Sequence, residues 1–223
     1  MTPPSTVLRA KIGLTGHALR NAGSALWHAP DPRRRYRDYL CAMHMVIRAS
    51  VPLLRAASAR CAELGETRLA GYLDRHAAEE AEHDDWLRGD LALVEPAAEE
   101  LLRRTPPPSV AGLVGAQYYW VLHHHPVALL GYIAVLEGEA PSRALLEHVE
   151  RRTGYPRAAF GTLWRHAALD PGHRDDLDRM LDDLAPAPER QAAVGTSALH
   201  TVHAAAVLLR ELAAAPPEVS PCT

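Results

Sequence analysis

Phenylalanine occurs once in these 223 residues, and aromatic residues together make up 5%. Beside abundant Ala and Leu, this scarcity argues against sheets and for helices. Cysteine is scarce too. Cys41, Cys61 and Cys222 are odd in number and widely spaced, so they form neither a zinc motif nor a disulfide framework, which fits a reducing cytoplasm. There is no long basic run and the formal net charge is −3, so nucleic acid is not an expected partner. No uninterrupted apolar stretch of membrane-spanning length occurs, so no membrane span is expected. The opening Met1-Thr-Pro-Pro-Ser-Thr6 lacks a basic start followed by an apolar run, so no signal peptide is expected. The length suits one domain over 1–223, with an ordered core over about 7–214 and a disordered tail over 215–223.

What is present is helical periodicity. Apolar residues recur at three- and four-residue spacing over about Val7–Trp27, and Pro30 and Pro32 break the chain after it. A helix is expected over about Arg33–Leu64, kinked near Pro52 and ended by Gly65. The third, about Thr67–Val94, carries the stripe Leu69, Leu73, His76, Glu80, His83, Leu87, Leu91. Leucines flank the stripe at both ends, so its polar members should face the core. The fourth, about Ser109–Gly138, is apolar nearly all round, with a kink expected at Pro126 and Glu137 extending its core stripe. Helices over about 141–153, 157–169, 172–184 and 187–214 complete an all-α reading.

Thirteen histidines are the unusual feature. His166, Asp170 and His173 are spaced i, i+4, i+7, which stacks them on one helical face, and His76, Glu80 and His83 repeat that spacing. With Glu137 they make seven core-facing candidates. A buried carboxylate or imidazole needs a partner, so seven on three helices call for cations. Mixed His and carboxylate ligands suit iron or manganese better than structural zinc, and two metals about 3.5–4 Å apart can share such a cluster. Each residue also has a plainer reading. Glu79, Glu80 and Glu82 can be a solvated run, and Asp170-Pro171-Gly172 is a helix start with Asp170 as N-cap. On that last reading the ligand-bearing segment is broken at Pro171, ordering only when metal binds.

The run His166-x3-Asp170-x2-His173, the preceding Glu137 and the Glu/His helix ending at His83 resemble the heme-oxygenase-like diiron oxidases and oxygenases. The stretches 76–91 and 117–138 resemble a subgroup described as iron-containing redox enzymes. The likeness spans roughly 7–212. It implies a heme-oxygenase-like bundle of about seven helices holding two Fe(II) ions, with O2 as cosubstrate. The substrate would be a small amino-acid- or fatty-acid-like molecule, the reaction a biosynthetic one, and an external electron donor a partner, with a homodimer as one expected assembly. By position His83, Glu137, His166, Asp170 and His173 would be ligands. Members often place Glu seven residues before the first His; here that residue is His76. Glu80 is the acid we favour, with His76 and Glu79 as alternates. His44, Tyr118, His124 and Tyr132, on apolar helices, are pocket candidates, more commonly packing residues with a satisfied polar tip. The alternatives are a heme or other cofactor-binding module of the same fold, and a metal-independent relative resembling thiaminase II or pyrroloquinoline-quinone synthase.

Overall fold

The computed structural model describes residues 2–138 and 140–215, and among these no strand occurs. The expected disordered tail lies, apart from Ala215, outside the described residues. Prolines begin many of the helices. Pro4, Pro32, Pro108 and Pro188 each stand at the first position of α1 (Pro4–His28), α2 (Pro32–Arg48), α7 (Pro108–His123) and α11 (Pro188–Ala214). There the missing N–H has no helical acceptor anyway. Pro52 works in the same way. The chain is jointed at Ala49 rather than kinked at Pro52, and Pro52 sits in the first turn of α3 (Ser50–Glu63).

Other breaks differ from the periodicity reading. The expected helix over 67–94 is divided into α4 (Thr67–Glu79) and α5 (His83–Val94). The joint is Glu82, which takes a left-handed backbone at φ 70° without being glycine. A short α6 (Ala98–Leu102) follows. The fourth expected helix becomes α7, a 3-10 turn over Pro126–Ala128, and α8 (Leu129–Leu136). Next come α9 (Arg143–Thr153), capped by the Ser142 side chain and closed by left-handed Gly154, and a 3-10 turn over Arg157–Phe160. The last correction concerns α10 (Gly161–Leu184), which runs unbroken through Pro171, so Asp170 is an interior residue and not an N-cap.

The main core joins α1, α2, α3, α4, α7, α8, α10 and α11, and a smaller core gathers α2, α5, α6 and α9 around Tyr36 and Phe160, whose rings stack at 4.4 Å. The centre of the main core is α8, all of whose residues but Leu136 are buried. Gly131 permits this: a Cβ there would lie 2.1 Å from the Val194 carbonyl oxygen of α11. Two stretches, Pro32–Glu63 and Pro188–Ala214, are apolar and long enough to cross a membrane by length and composition, where the sequence reading expects none. In the bundle 44% and 56% of their most apolar windows are buried.

Helix α10 is fastened at both ends. At its start, buried Asp90 of α5 accepts the backbone N–H of Gly161 (3.1 Å) and of Thr162 (2.8 Å). Desolvation raises the Asp90 pKa against the lowering effect of these bonds. At its far end, the Ser5 hydroxyl donates to Asp182 (2.7 Å) and Arg9 donates to Asp178 (3.0 Å) and to the Ala134 carbonyl oxygen (2.8 Å).

Candidate metal centre

The two sequence runs share one pattern, His-x3-acid-x2-His, and α10 lays its copy against the other in reverse order. His173 meets His76, and His166 meets His83. Both ring pairs have centroids 5.2 Å apart and meet edge to face, at 75° and 86°. Seven residues of helix advance about 10.5 Å, so α10 carries its two histidines to two separate places along the α4–α5 stretch. Glu137, at the C-cap of α8, comes in from a third direction.

The first group is His76, Glu137 and His173, whose nearest ligand atoms all lie within 4.8 Å of one another, close enough to hold one metal ion. His76 Nε2 donates to Glu137 Oε1 at 2.9 Å, and His173 Nδ1 lies 3.3 Å from Glu137 Oε2 but off the hydrogen-bond axis. Half-exposed Glu79 stands at its rim, 3.7 Å from His76 and 3.9 Å from His173. The second group is Glu80, His83, His166 and Asp170. Glu80 Oε1 is 3.3 Å from His83 Nδ1, and His166 Nδ1 is 3.2 Å from Asp170 Oδ1. Trp86 stacks on His83 at 3.9 Å, and the Arg165 guanidinium lies over Trp86 at 4.6 Å.

The protonation pattern follows from this crowding. Desolvation would raise Glu137, but its contacts with His173 and His76 hold it down at about 2. Contact with Glu137 lifts His173 to about 9 against desolvation. Desolvation works to lower His76 and His166, and Glu137 and Asp170 respectively overcome it, so both are raised. Asp170 is raised by burial despite His166.

Among the described residues, five buried side-chain atoms of this cluster have no hydrogen-bond partner: Glu80 Oε1, His83 Nδ1, Glu137 Oε2, His166 Nε2 and His173 Nδ1. Buried polar atoms are ordinarily satisfied, and leaving one bare costs about 1–3 kcal/mol. Both residue types are metal donors, and the donor set of imidazole and carboxylate suits iron or manganese. The residues therefore fit a metal centre. His76, which the sequence reading holds only as an alternate, has the shortest contact of the cluster and is 3% exposed. Glu80 is equally inside at 6%, whereas Glu79 is at the edge.

A cleft of about 520 Å³ runs along α4 and α10 and reaches His76, Glu79 and His173. None of His44, Tyr118, His124 and Tyr132 lines it. His44 is buried, its pKa lowered by desolvation, and His124 is exposed. Tyr118 packs at the edge of the main core. Tyr132 is buried, and its unpartnered hydroxyl feels the charges of Glu137 and Glu80. The sequence reading missed Asp90 and Trp86. Both lie on α5 after His83, seven and three residues on, and that shared-face spacing was the available signal.

No family profile matches the chain, and no curated protein matches it. Solved structures do. A domain of unknown function with a heme oxygenase-like fold from Shewanella denitrificans matches at TM-score 0.82 and 17% identity, covering 93% of this chain and 90% of that one. A TenA homolog from Pseudomonas syringae pv. tomato matches at TM-score 0.67 and 14% identity, covering 91% of this chain and 92% of that one. The chain thus has the heme-oxygenase-like all-α architecture that its sequence resemblance implies, and at these identities the likeness is one of fold.

Proposed function

We propose that the chain is a non-heme iron oxidoreductase that uses O2 to oxidise a small organic substrate, with two Fe(II) ions as its resident cofactor. The observation that carries this reading is the set of five buried imidazole and carboxylate atoms without a hydrogen bond in one cluster, four of them facing one another in pairs at 3.3 Å. His76, Glu137 and His173 would hold one ion, and Glu80, His83, His166 and Asp170 the other, with Glu79 at the rim. When bound, the irons supply O2 activation, which protein side chains alone do not provide. The chain's own groups bind and orient. Asp170 holds the His166 ring through Nδ1, leaving Nε2 free as donor. The smaller core around Phe160 and the Trp86 ring on His83 keep water from that side. An external electron donor and a small-molecule substrate are the partners required, and the sparse cysteines fit action in the cytoplasm.

The likeness to a TenA homolog favours one second reading, a metal-independent enzyme with a nucleophilic cysteine. Burial pushes the Cys41 thiol up to about 11 and that of Cys61 to about 12, opposite to what a nucleophile needs. A heme module is less well supported too, since the cluster histidines are engaged by carboxylates rather than set singly beside cations for propionates. The test is to load metal-free protein anaerobically with Fe(II), count iron, mix with O2 and follow visible absorption. Iron uptake and a transient band that His166→Ala abolishes are expected. Iron-free protein that instead takes up heme with a strong Soret band contradicts the reading.

A further inference from the structure

The cleft is walled by successive turns of two antiparallel helices. From α4 it takes residues of every turn between Thr67 and Glu79, about 18 Å of helix. From α10 it takes the face running from His173 to Asp183. One end is therefore the metal-site pair His76 and His173, and the walls beyond it are charged.

Those wall charges are not equivalent. Arg68 is ion-paired with Asp183, and Arg179 with Asp176, so these four cancel within the wall itself. Arg75 is different. Its Nη1 donates to the Gly71 carbonyl oxygen of its own helix (3.1 Å), and among the described residues no carboxylate lies within ion-pair distance of it. A guanidinium has five N–H donors in a planar fork suited to a carboxylate. Tyr72 lines the same wall, but its hydroxyl is buried, has no hydrogen-bond partner and feels the charge of Glu137 more than that of Arg75. The cleft thus offers one cation without a carboxylate partner, one residue before His76 on α4, while Glu79 at the same end faces His76 and His173.

We propose that this cleft binds a short, hydrophilic carboxylic acid, its carboxylate held by Arg75 and its other end directed to the His76–Glu137–His173 group. The assignment rests on that cluster being the reaction centre. It narrows the substrate away from long fatty acids. An alkyl chain along walls of paired arginines and aspartates would strip water from those charges without giving them a partner. Tyr72 and Met180 are the larger apolar surfaces on the lining. Arg75 is a specificity-determining residue on this account. It is exposed and outside both apolar cores, so it can be replaced without disturbing the fold.

The test uses the full metal-free chain and calorimetric titration with glutarate, pentane-1,5-diamine and decanoate. Glutarate should bind, the diamine should not, and decanoate should bind no more tightly than glutarate. Arg75→Gln should weaken glutarate about tenfold or more, roughly 1.4 kcal/mol, and Arg75→Lys should fall between. Glutarate binding that is absent, or unchanged in Arg75→Gln, overturns the proposal, as does tighter binding of decanoate or the diamine. Iron counts on wild type and Arg75→Gln are run in parallel and should be equal. Arg75-dependent glutarate binding in a chain that takes up no iron would sink the metal reading and leave the acid site standing. Iron uptake with glutarate indifferent to Arg75 would do the reverse.

Discussion

Glu137 sits between two histidines, and that single placement sets the pH behaviour of the metal-free protein. His173, raised to about 9, contributes stability that is fully present below its ordinary value of 6.5 and is lost as pH rises through about 9. Glu137, held at about 2, contributes stability present above 4.5 and lost as pH falls through about 2. The melting temperature of the metal-free chain should therefore fall between pH 7 and 9. A divalent ion must displace the His173 proton at neutral pH, so its affinity should climb across that interval by up to about tenfold per pH unit and level off above it. Anaerobic Mn(II) titrations at several pH values read this directly; an affinity flat from pH 7 to 9 would remove His173 from the site. Six of the seven candidates were legible because one spacing occurs twice, the first time on a leucine-flanked stripe, and the seventh, Glu137, because it extends the apolar stripe of its own helix. The order among them was not. A stripe says that His76 and Glu80 both face inward, but which carboxylate His76 meets depends on where α8 ends, and Glu137 is 61 residues away.

At the scale of elements, the proposed metal centre depends on α5 and α10 keeping their register, and Asp90 ties one to the other. Replacing it with Ala leaves two backbone N–H groups at the start of α10 without their carboxylate acceptor. The expected loss is roughly 2–4 kcal/mol, read as a lower melting temperature, together with less iron per chain; Asp90→Asn should lose less. Unchanged stability and iron content in Asp90→Ala would show that the tie is incidental. Two element boundaries could not be read from periodicity. Glu82 adopts a left-handed turn at a cost of about 1–2 kcal/mol, a conformation that sequence usually signals with glycine, and here none marks it. Pro171 signals a break that does not occur. Its missing N–H removes one bond from α10, but Asp90 at one end and Ser5 and Arg9 at the other hold the helix across the gap. The segment bearing His166, Asp170 and His173 is thus a fastened helix and not one broken at Pro171. Even so, His166 Nε2 and His173 Nδ1 on it, and His83 Nδ1 and Glu137 Oε2 facing it, have no hydrogen-bond partner, so hydrogen exchange over residues 164–176 should slow when iron binds. Equal protection with and without iron would count against metal binding there.

For the molecule as a whole, the all-α class followed from composition and helical periodicity, and the heme-oxygenase-like arrangement was what the family resemblance at His166, Asp170, His173 and Glu137 implied. The long-range contacts were not legible in the same way. That α8 is the centre depends on Gly131 letting its backbone touch α11, a relation between residues more than sixty positions apart. The bundle converts two similar local patterns into two facing half-sites by running α10 antiparallel to α4 and α5. The central claim is that each half-site holds its own ion, and iron stoichiometry tests it most directly. Anaerobic loading of the wild-type chain, of His76→Ala and of His83→Ala, each checked for helicity by circular dichroism, should give about two, about one and about one Fe(II) per chain. A wild-type chain that retains no iron, or single variants that retain as much as the wild type, would contradict the account.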